Sequence, residues 1–431
     1  MPLRSVVIWL FWGRIRAGWL RLSLLLACCL CSGVQRPALA QPGPFSLVAT
    51  QEKKVRIPVF MQRNLVIIPL RLNGQGPFNF LLDTGINTSL ITDASLRQQL
   101  RLRPKQRFLV SGAGEEEPLE AFLVDSVQVE LKNIACPALS LLLLSNDVLN
   151  LSGYVGMPIH GLLGADIFRS FVVEINPVEQ EVVFHQPEDY RAPRGRRWAQ
   201  IPLDMEGNKT YVTLPVTLND SLTLPLKLVL DTGAGHALSL ETTSDKQLKL
   251  PAQHLRTQLG RGLNGYINGY LGRVTELRLG RYRVPSLLTS FPDAADVAQR
   301  ADVFRNGNLG FELLKRFMIV IDYTHNRLLL RPNSTFRQPF EHDMSGFDLV
   351  AAGPELRRYV IGKIQPESPA ALAGLQTNDE LVSINLIPTA ELSLTQISNL
   401  FRSYHNRLLL LVIRRPSGEL YTTALRLQRQ I

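Results

Sequence analysis

Two short phrases hold the residue types with the most chemistry in them. Phe80-Leu81-Leu82-Asp83-Thr84-Gly85 and Leu228-Val229-Leu230-Asp231-Thr232-Gly233 each end an apolar run on an Asp, followed at once by Thr-Gly. Such a run reads as a buried strand, and Gly lets the backbone turn sharply after it. Each carboxylate is thereby carried to the end of a core strand, where desolvating its charge is costly. Two carboxylates brought face to face can share one proton and hold one water, because like charges at close range cannot both stay ionised. Such a pair titrates as a unit, and the residue types do not say which Asp keeps the proton.

The elements that must position these carboxylates occur twice. Leu214–Leu218 matches Ile68–Leu72, and Leu226–Asp231 matches Phe78–Asp83. Gly307–Phe311 matches Gly161–Ala165, and Phe317–Asp322 matches Phe171–Asn176. The offset is 148 residues at the Asp pair and 146 at the last landmark, so the register barely drifts. Within the first copy, Leu65–Leu72 reads as a strand ending at Asn73-Gly74, with Pro69 pointing to a sheet edge. Ala94–Leu102 reads as a short helix, and Phe108–Val124 as a hairpin whose tip is Ser111–Glu117. The run Glu115-Glu116-Glu117 fits a solvated tip, or a feature that disfavours acidic substrates. Arg191–Arg197, basic and interrupted by Pro193 and Gly195, reads as the connector between the copies.

A third unit starts near Glu341. Tyr359–Ile364 and Asp379–Ile384 read as strands. Ser368-Pro369 opens a short helix that Gly374 closes, and Ser393-Leu394-Thr395-Gln396 is a capping box for another, running to about Tyr404. Leu408–Ile413 and Leu420–Leu427 form a hairpin around Pro416-Ser417-Gly418.

Each copy resembles a retropepsin-like aspartic protease lobe, with Asp83-Thr84-Gly85 and Asp231-Thr232-Gly233 as the active-site loops. Leu162-Leu163-Gly164 and Asn308-Leu309-Gly310 resemble the hydrophobic-hydrophobic-Gly element that packs beneath each loop; Asn308 departs from its apolar preference. The third unit resembles a bacterial PDZ domain through Ser368-Pro369-Ala370, Ala373-Gly374-Leu375 and Asp379–Asn385. Together these match bacterial aspartyl proteases with a C-terminal PDZ domain. The implied fold is mainly β: two duplicated lobes forming a pseudo-dimer, then a small α+β PDZ domain. The expected boundaries are 1–40 for a signal peptide, 48–190 and 191–335 for the lobes, and 341–431 for the PDZ domain.

The resemblance implies water-mediated peptide hydrolysis, with Asp83 and Asp231 catalytic, and needs no metal or organic cofactor. Thr84 and Thr232 would interlock the loops, and Gly85 and Gly233 would permit close approach. A hairpin flap must also cover the cleft. Gly112 and Gly114 of the first copy, and Tyr266 and Tyr270 of the second, are the flap candidates. Gly260-Arg261-Gly262-Leu263-Asn264-Gly265 formally matches a dinucleotide fingerprint, but no strand-to-helix context surrounds it, and a flap explains the same glycines. In the PDZ unit a peptide C-terminus would add as a strand beside Gly346, Phe347 and Leu349, with Leu394, Ile397 and Phe401 lining an apolar pocket. His236 would either tune the Asp pair or be hydrogen-bonded at the cleft wall.

Composition narrows the rest. The net charge is +10, but residues 1–40 contribute five Arg and no acid, leaving an ordinary balance of about +5 and no basic block for nucleic acid. Those residues read as a secretory signal: basic up to Arg21, apolar over Leu22–Val34, with a cleavage site at Ala38-Leu39-Ala40. The apolar stretch is shorter than a membrane span, so no span is expected in the mature chain. Leu25-Leu26-Ala27-Cys28 offers an alternative, a lipoprotein site with Cys28 acylated. A mature chain would keep only Cys136, and hence no internal disulfide. The expectation is an exported, periplasmic or extracellular monomer that cleaves a peptide or protein substrate and binds peptide C-termini at its PDZ unit. The rival reading is a non-catalytic peptide-binding protein on the same scaffold.

Overall fold

The computed structural model describes residues 44–431, apart from residues 50, 111, 115, 208 and 298–302. The signal segment and its Cys28 alternative lie outside the described residues. Among those described, no helix is long and apolar enough to cross a membrane.

The first lobe is a closed β circuit. Its strands are β1 (Lys54–Pro58), β2 (Leu65–Leu72), β3 (Gln75–Leu82), β4 (Leu90–Ile91), β5 (Gln106–Val110), β6 (Leu119–Leu131), β7 (Ile134–Leu144), β8 (Gly161–Leu163), β9 (Val172–Asn176) and β10 (Glu181–His185). Pairing runs β7-β4-β8-β3-β2-β6, and β6 pairs back with β7 to close the ring. Short helices α1 (Leu96–Gln99), α2 (Leu151–Val155) and α3 (Ala165–Ser170) decorate it. The expected helix at Ala94–Leu102 is one turn long. Pro69 does not sit on an edge strand: β2 is paired along both flanks. On one flank its partners stop at Ile67 and resume at Arg71, so Pro69 and its missing N–H fall in the gap.

The second lobe repeats the circuit. Its strands are β11 (Ala199–Pro202), β12 (Lys209–Asn219), β13 (Leu222–Leu230), β14 (Leu238–Leu240), β15 (His254–Gly262), β16 (Gly265–Leu279), β17 (Tyr282–Pro292), β18 (Gly307–Leu309), β19 (Phe317–Asp322) and β20 (Arg327–Pro332). Here β12-β13-β18-β14-β17-β16 pair in turn, and β16 returns to β12. Helix α4 (Phe311–Leu314) occupies the place of α3. The parallel pair β3–β8 sets Leu81 beside Leu162, and the parallel pair β13–β18 sets Val229 beside Asn308.

One sheet belongs to both lobes. Its order is β11-β20-β19-β9-β10-β1, and its centre is the antiparallel pair β9–β19, with Val173 opposite Ile321 and Ile175 opposite Ile319. The lobes thus share backbone hydrogen bonds and one apolar core, to which Phe80, Leu82, Leu228, Leu230, Ile175 and Ile319 all belong. The strand that delivers Asp83 is apolar on both faces for a reason. Phe80 and Leu82 enter that shared core, whereas Leu81 joins a second cluster with Leu65, Ile67 and Leu162.

The C-terminal unit has its own core. Strands β21 (Phe347–Ala352), β22 (Arg358–Ile364), β23 (Glu380–Ile384), β24 (Leu408–Arg414) and β25 (Leu420–Arg426) pair in that order, leaving β21 at the sheet edge. Both helices begin as their sequences require. Ser368 caps α5 (Pro369–Leu372) through the Ala371 N–H, and Ser393 and Gln396 form the complete capping box of α6 (Leu394–Phe401). Leu394, Ile397 and Phe401 form the buried stripe of α6.

Candidate active site

Asp83 and Asp231 end β3 and β13 and face each other across the junction of the lobes. The anchoring is the same on both sides: the Asp83 N–H donates to Leu163 O at 2.9 Å, and the Asp231 N–H to Leu309 O at 3.0 Å. Between them the two threonines exchange bonds. Thr84 Oγ1 donates to Leu230 O (2.7 Å) and accepts from the Thr232 N–H (3.0 Å). Thr232 Oγ1 donates to Leu82 O (2.8 Å) and accepts from the Thr84 N–H (3.0 Å). Both threonines are buried, so each bond satisfies a backbone group that water cannot reach.

This interlock presses each loop onto the opposite carboxylate. A Cβ on Gly85 would come to 2.7 Å from Asp231 Oδ1, and one on Gly233 would collide with the Asp83 carboxylate. Only glycine fits at these two places. The freed loop N–H groups point at the acids: Gly85 donates to Asp83 Oδ1 (2.6 Å) and Gly233 to Asp231 Oδ1 (3.1 Å).

The two carboxylates differ in setting. Asp83 is buried, at 5% exposure, while Asp231 is partly buried. Burial, and then the charge of Asp231 opposite, push the Asp83 carboxyl up to about 7, against an ordinary value of 3.8. The Gly85 and Gly233 N–H groups and Lys209 pull the other way and are outweighed. On the second side, Asn308 Nδ2 donates to Asp231 Oδ2 at 2.9 Å. The polar residue that departs from the apolar pattern contacts the carboxylate. Leu162, its counterpart in the first lobe, is an apolar residue in the second cluster. His236 follows Asp231 on the same loop, and its carbonyl accepts from the Glu312 N–H at the start of α4 (3.2 Å).

Two hairpins, β5–β6 from the first lobe and β15–β16 from the second, meet at their tips. The meeting point is Asn264, which is 1% exposed. Its side-chain oxygen accepts from the Gly112 N–H, and its Nδ2 donates to Glu116 O at 2.9 Å. Its own N–H donates to Ala113 O, and its carbonyl accepts from the Glu116 N–H, both at 2.8 Å. The Gly114 N–H reaches Asp296 O at 3.3 Å, and a Cβ there would collide with Asn264. Leu263, also at the tip, packs into the first lobe's second cluster, which includes Ile86 beside the first Asp-Thr-Gly. Gly112 and Gly114 thus lie at the junction of the hairpins. Tyr266 is exposed beneath Arg261, and Tyr270 stacks with His254 and Arg256 while packing on the shared core. Asn264 was legible only as part of a glycine-rich stretch; nothing local marks an Asn that uses all four of its polar groups.

In the C-terminal unit Phe347, Leu349, Leu394, Ile397 and Phe401 share one core, with the Phe347 and Phe401 rings 5.1 Å apart. Gly346, at φ +80°, abuts Ser368. The edge strand β21 and helix α6 both touch the first lobe. Helix α2 lies against β21, and Gly156 at its end packs on Leu394. The Arg63 N–H donates to Thr395 Oγ1 (3.0 Å), and Arg63 Nη1 to Ser398 Oγ (2.6 Å), while the Arg63 guanidinium stacks on Tyr154 of α2.

Two barrels that each deliver an Asp-Thr-Gly loop to a common pair of carboxylates define the aspartyl protease fold in its retropepsin-like form. The aspartyl protease family matches the chain twice, over residues 68–167 and 214–313, and the PDZ domain family matches residues 360–415. The chain therefore has two aspartyl protease domains followed by a C-terminal PDZ domain. Among solved structures, a photosystem II D1 C-terminal processing protease is 21% identical over 22% of this chain, with a TM-score of 0.20. The chain spans 26% of that protein's length, and a likeness at this level carries no argument about activity. No curated protein matches.

Proposed function

We propose that the chain is an aspartic endopeptidase in which Asp83 and Asp231 activate one water between them. One carboxylate takes a proton from the water as its oxygen attacks the peptide carbonyl; the other, protonated, donates to the carbonyl oxygen. The observation that carries this reading is the reciprocal Thr84–Thr232 exchange, which holds the two acids face to face. A burial-raised Asp83 supports it, since a carboxyl that keeps its proton near neutral pH can act as a donor. Thr84, Gly85, Thr232 and Gly233 hold the loops, and the hairpins that meet at Asn264 exclude water. The proposed lobes are residues 48–190 and 191–335, and the PDZ unit 341–431. The protein is proposed to be exported by residues 1–40.

The test is cleavage of a random peptide library at several pH values by the wild type, Asp83→Ala and Asp231→Ala. Loss of about 10²–10⁴-fold or more in both variants is expected. A folded wild type that cleaves nothing, with variants that behave the same, moves the weight to a peptide-binding scaffold. The PDZ unit is proposed to bind peptide C-termini in competition with α2. Arg63→Ala removes the Ser398 bond and the Tyr154 contact, and is expected to tighten binding of C-terminal peptides by about three- to tenfold in calorimetry, from a loss of roughly 1 kcal/mol. Unchanged affinity would mean that α2 does not compete.

A further inference from the structure

The two acids are anchored through matching backbone bonds to Leu163 and Leu309, and a side chain beside one of them breaks the symmetry. The Gly85 N–H donates to Asp83 Oδ1 at 2.6 Å and the Gly233 N–H to Asp231 Oδ1 at 3.1 Å, and both N–H groups favour a charged Asp83, which burial outweighs. The interlocked threonines are reciprocal. The asymmetry enters one strand away, where parallel pairing puts Leu162 in β8 and Asn308 in β18 at matching positions. Leucine offers no donor. The Asn308 amide offers one, and it is spent on Asp231 Oδ2 at 2.9 Å.

We propose that Asn308 decides where the single proton of the pair resides: its amide holds Asp231 as the carboxylate and leaves the proton on Asp83. A donated N–H stabilises the charged form of a carboxyl and destabilises the neutral one. Asp83 has the apolar Leu162 in the corresponding place and is the more buried acid, so neutrality costs it less. The other titratable groups around the pair do not reverse this order. Lys209 favours a charged Asp83 but is outweighed there by burial and by the Asp231 charge. Tyr323, fully buried, has its hydroxyl pushed upward by burial and by Asp83, and so stays neutral beside it. His236 lies on the Asp231 loop, where its carbonyl accepts from the Glu312 N–H.

The catalytic part of this inference rests on the endopeptidase reading, and it gives each acid one role. Asp231 takes the proton of the attacking water as its oxygen bonds to the carbonyl carbon, and Asp83 passes its proton to the carbonyl oxygen. The result is a gem-diol over a pair whose total charge is unchanged. Asp231 then gives its proton to the amide nitrogen as the C–N bond breaks, and Asp83 recovers one from the gem-diol. Asn308 is a positioning residue here, acting through the bond from its amide to Asp231.

The experiment is a ¹³C carboxyl NMR titration of the full protein, with Asp83 and Asp231 assigned through their Asn variants, alongside the pH profile of kcat/KM. In the wild type Asp231 is expected to ionise first. Asn308→Leu should raise that lower midpoint, and the acid limb of the profile with it, by about one to two pH units, the worth of a hydrogen bond to a charged group. Leu162→Asn, a separate variant should Asn308→Leu not fold, places a donor near Asp83 and should lower the upper midpoint. Asp83 ionising first in the wild type, or neither variant moving its midpoint, overturns the assignment. Midpoints that move as expected in a protein that cleaves no peptide would uphold the proton placement and reject the endopeptidase reading.

Discussion

The two lobes are near-copies in backbone and differ in what they bring to the centre. The first contributes a buried acid, an apolar residue beside it at Leu162, and a hairpin tip whose backbone at Gly112, Ala113 and Glu116 bonds Asn264. The second contributes a partly buried acid, an amide donor at Asn308, and a hairpin tip whose Asn264 and Leu263 reach into the first lobe. The ring of strands is the same in both, so the symmetry of the fold sets geometry and a few side chains set chemistry. A symmetric pair of acids has no reason to place its proton on either side, whereas this pair does.

The comparison breaks most easily at its symmetric part. Thr84→Val and Thr232→Val each remove one donor and one acceptor and strand two buried backbone groups. We expect each to cost about 2–5 kcal/mol, and the two to agree within about 1 kcal/mol because the exchange is reciprocal. Urea midpoints at constant m measure this. Costs differing by several-fold would mean that one loop is held by something else.

The asymmetric part is sharpened by charge removal. The Asp83 carboxyl is raised to about 7 from its ordinary 3.8. Between those values the unfolded chain releases a proton that the folded chain keeps, so stability falls as pH rises through that window. Below it both states are protonated and nothing is lost. Asp83→Asn, neutral throughout, should therefore be more stable than the wild type near pH 7 by about 1–3 kcal/mol and indistinguishable from it near pH 3. Asp231→Asn removes the facing charge but also breaks the charge-assisted bond from Asn308, and should gain less. An equal gain in both, by thermal denaturation at the two pH values, would erase the distinction between the acids.

The smallest effect belongs to the hairpins. Asn264→Ala removes the two side-chain bonds between the tips while keeping the backbone ones. Hydrogen exchange at the Gly112 amide, which loses its acceptor, should speed by about five- to fiftyfold, corresponding to roughly 1–2 kcal/mol of local opening, with global stability little changed. Protection that persists would mean that Leu263, rather than Asn264, holds the tips together.

Much of this molecule is legible in its residue order. The duplication, the two Asp-Thr-Gly loops and the capped helices of the C-terminal unit are local patterns: a strand's apolar run, a turn's glycine, a Ser three residues before a Gln. Each is enforced over a few residues, so residue order alone determines it. The edge position read from Pro69 failed because pairing on the far side of a strand is not a local property. Only the tertiary structure decided that β9 and β19 join the lobes into one sheet and that α2 lies against β21. Only there does Asn264 join two tips that are 152 residues apart at Gly112, or Asn308, first visible as a breach of the apolar pattern, meet Asp231. These contacts bring together residues far apart in sequence, and their energy comes from burying polar groups against particular partners. A polar residue on its own does not show which partner folding will supply.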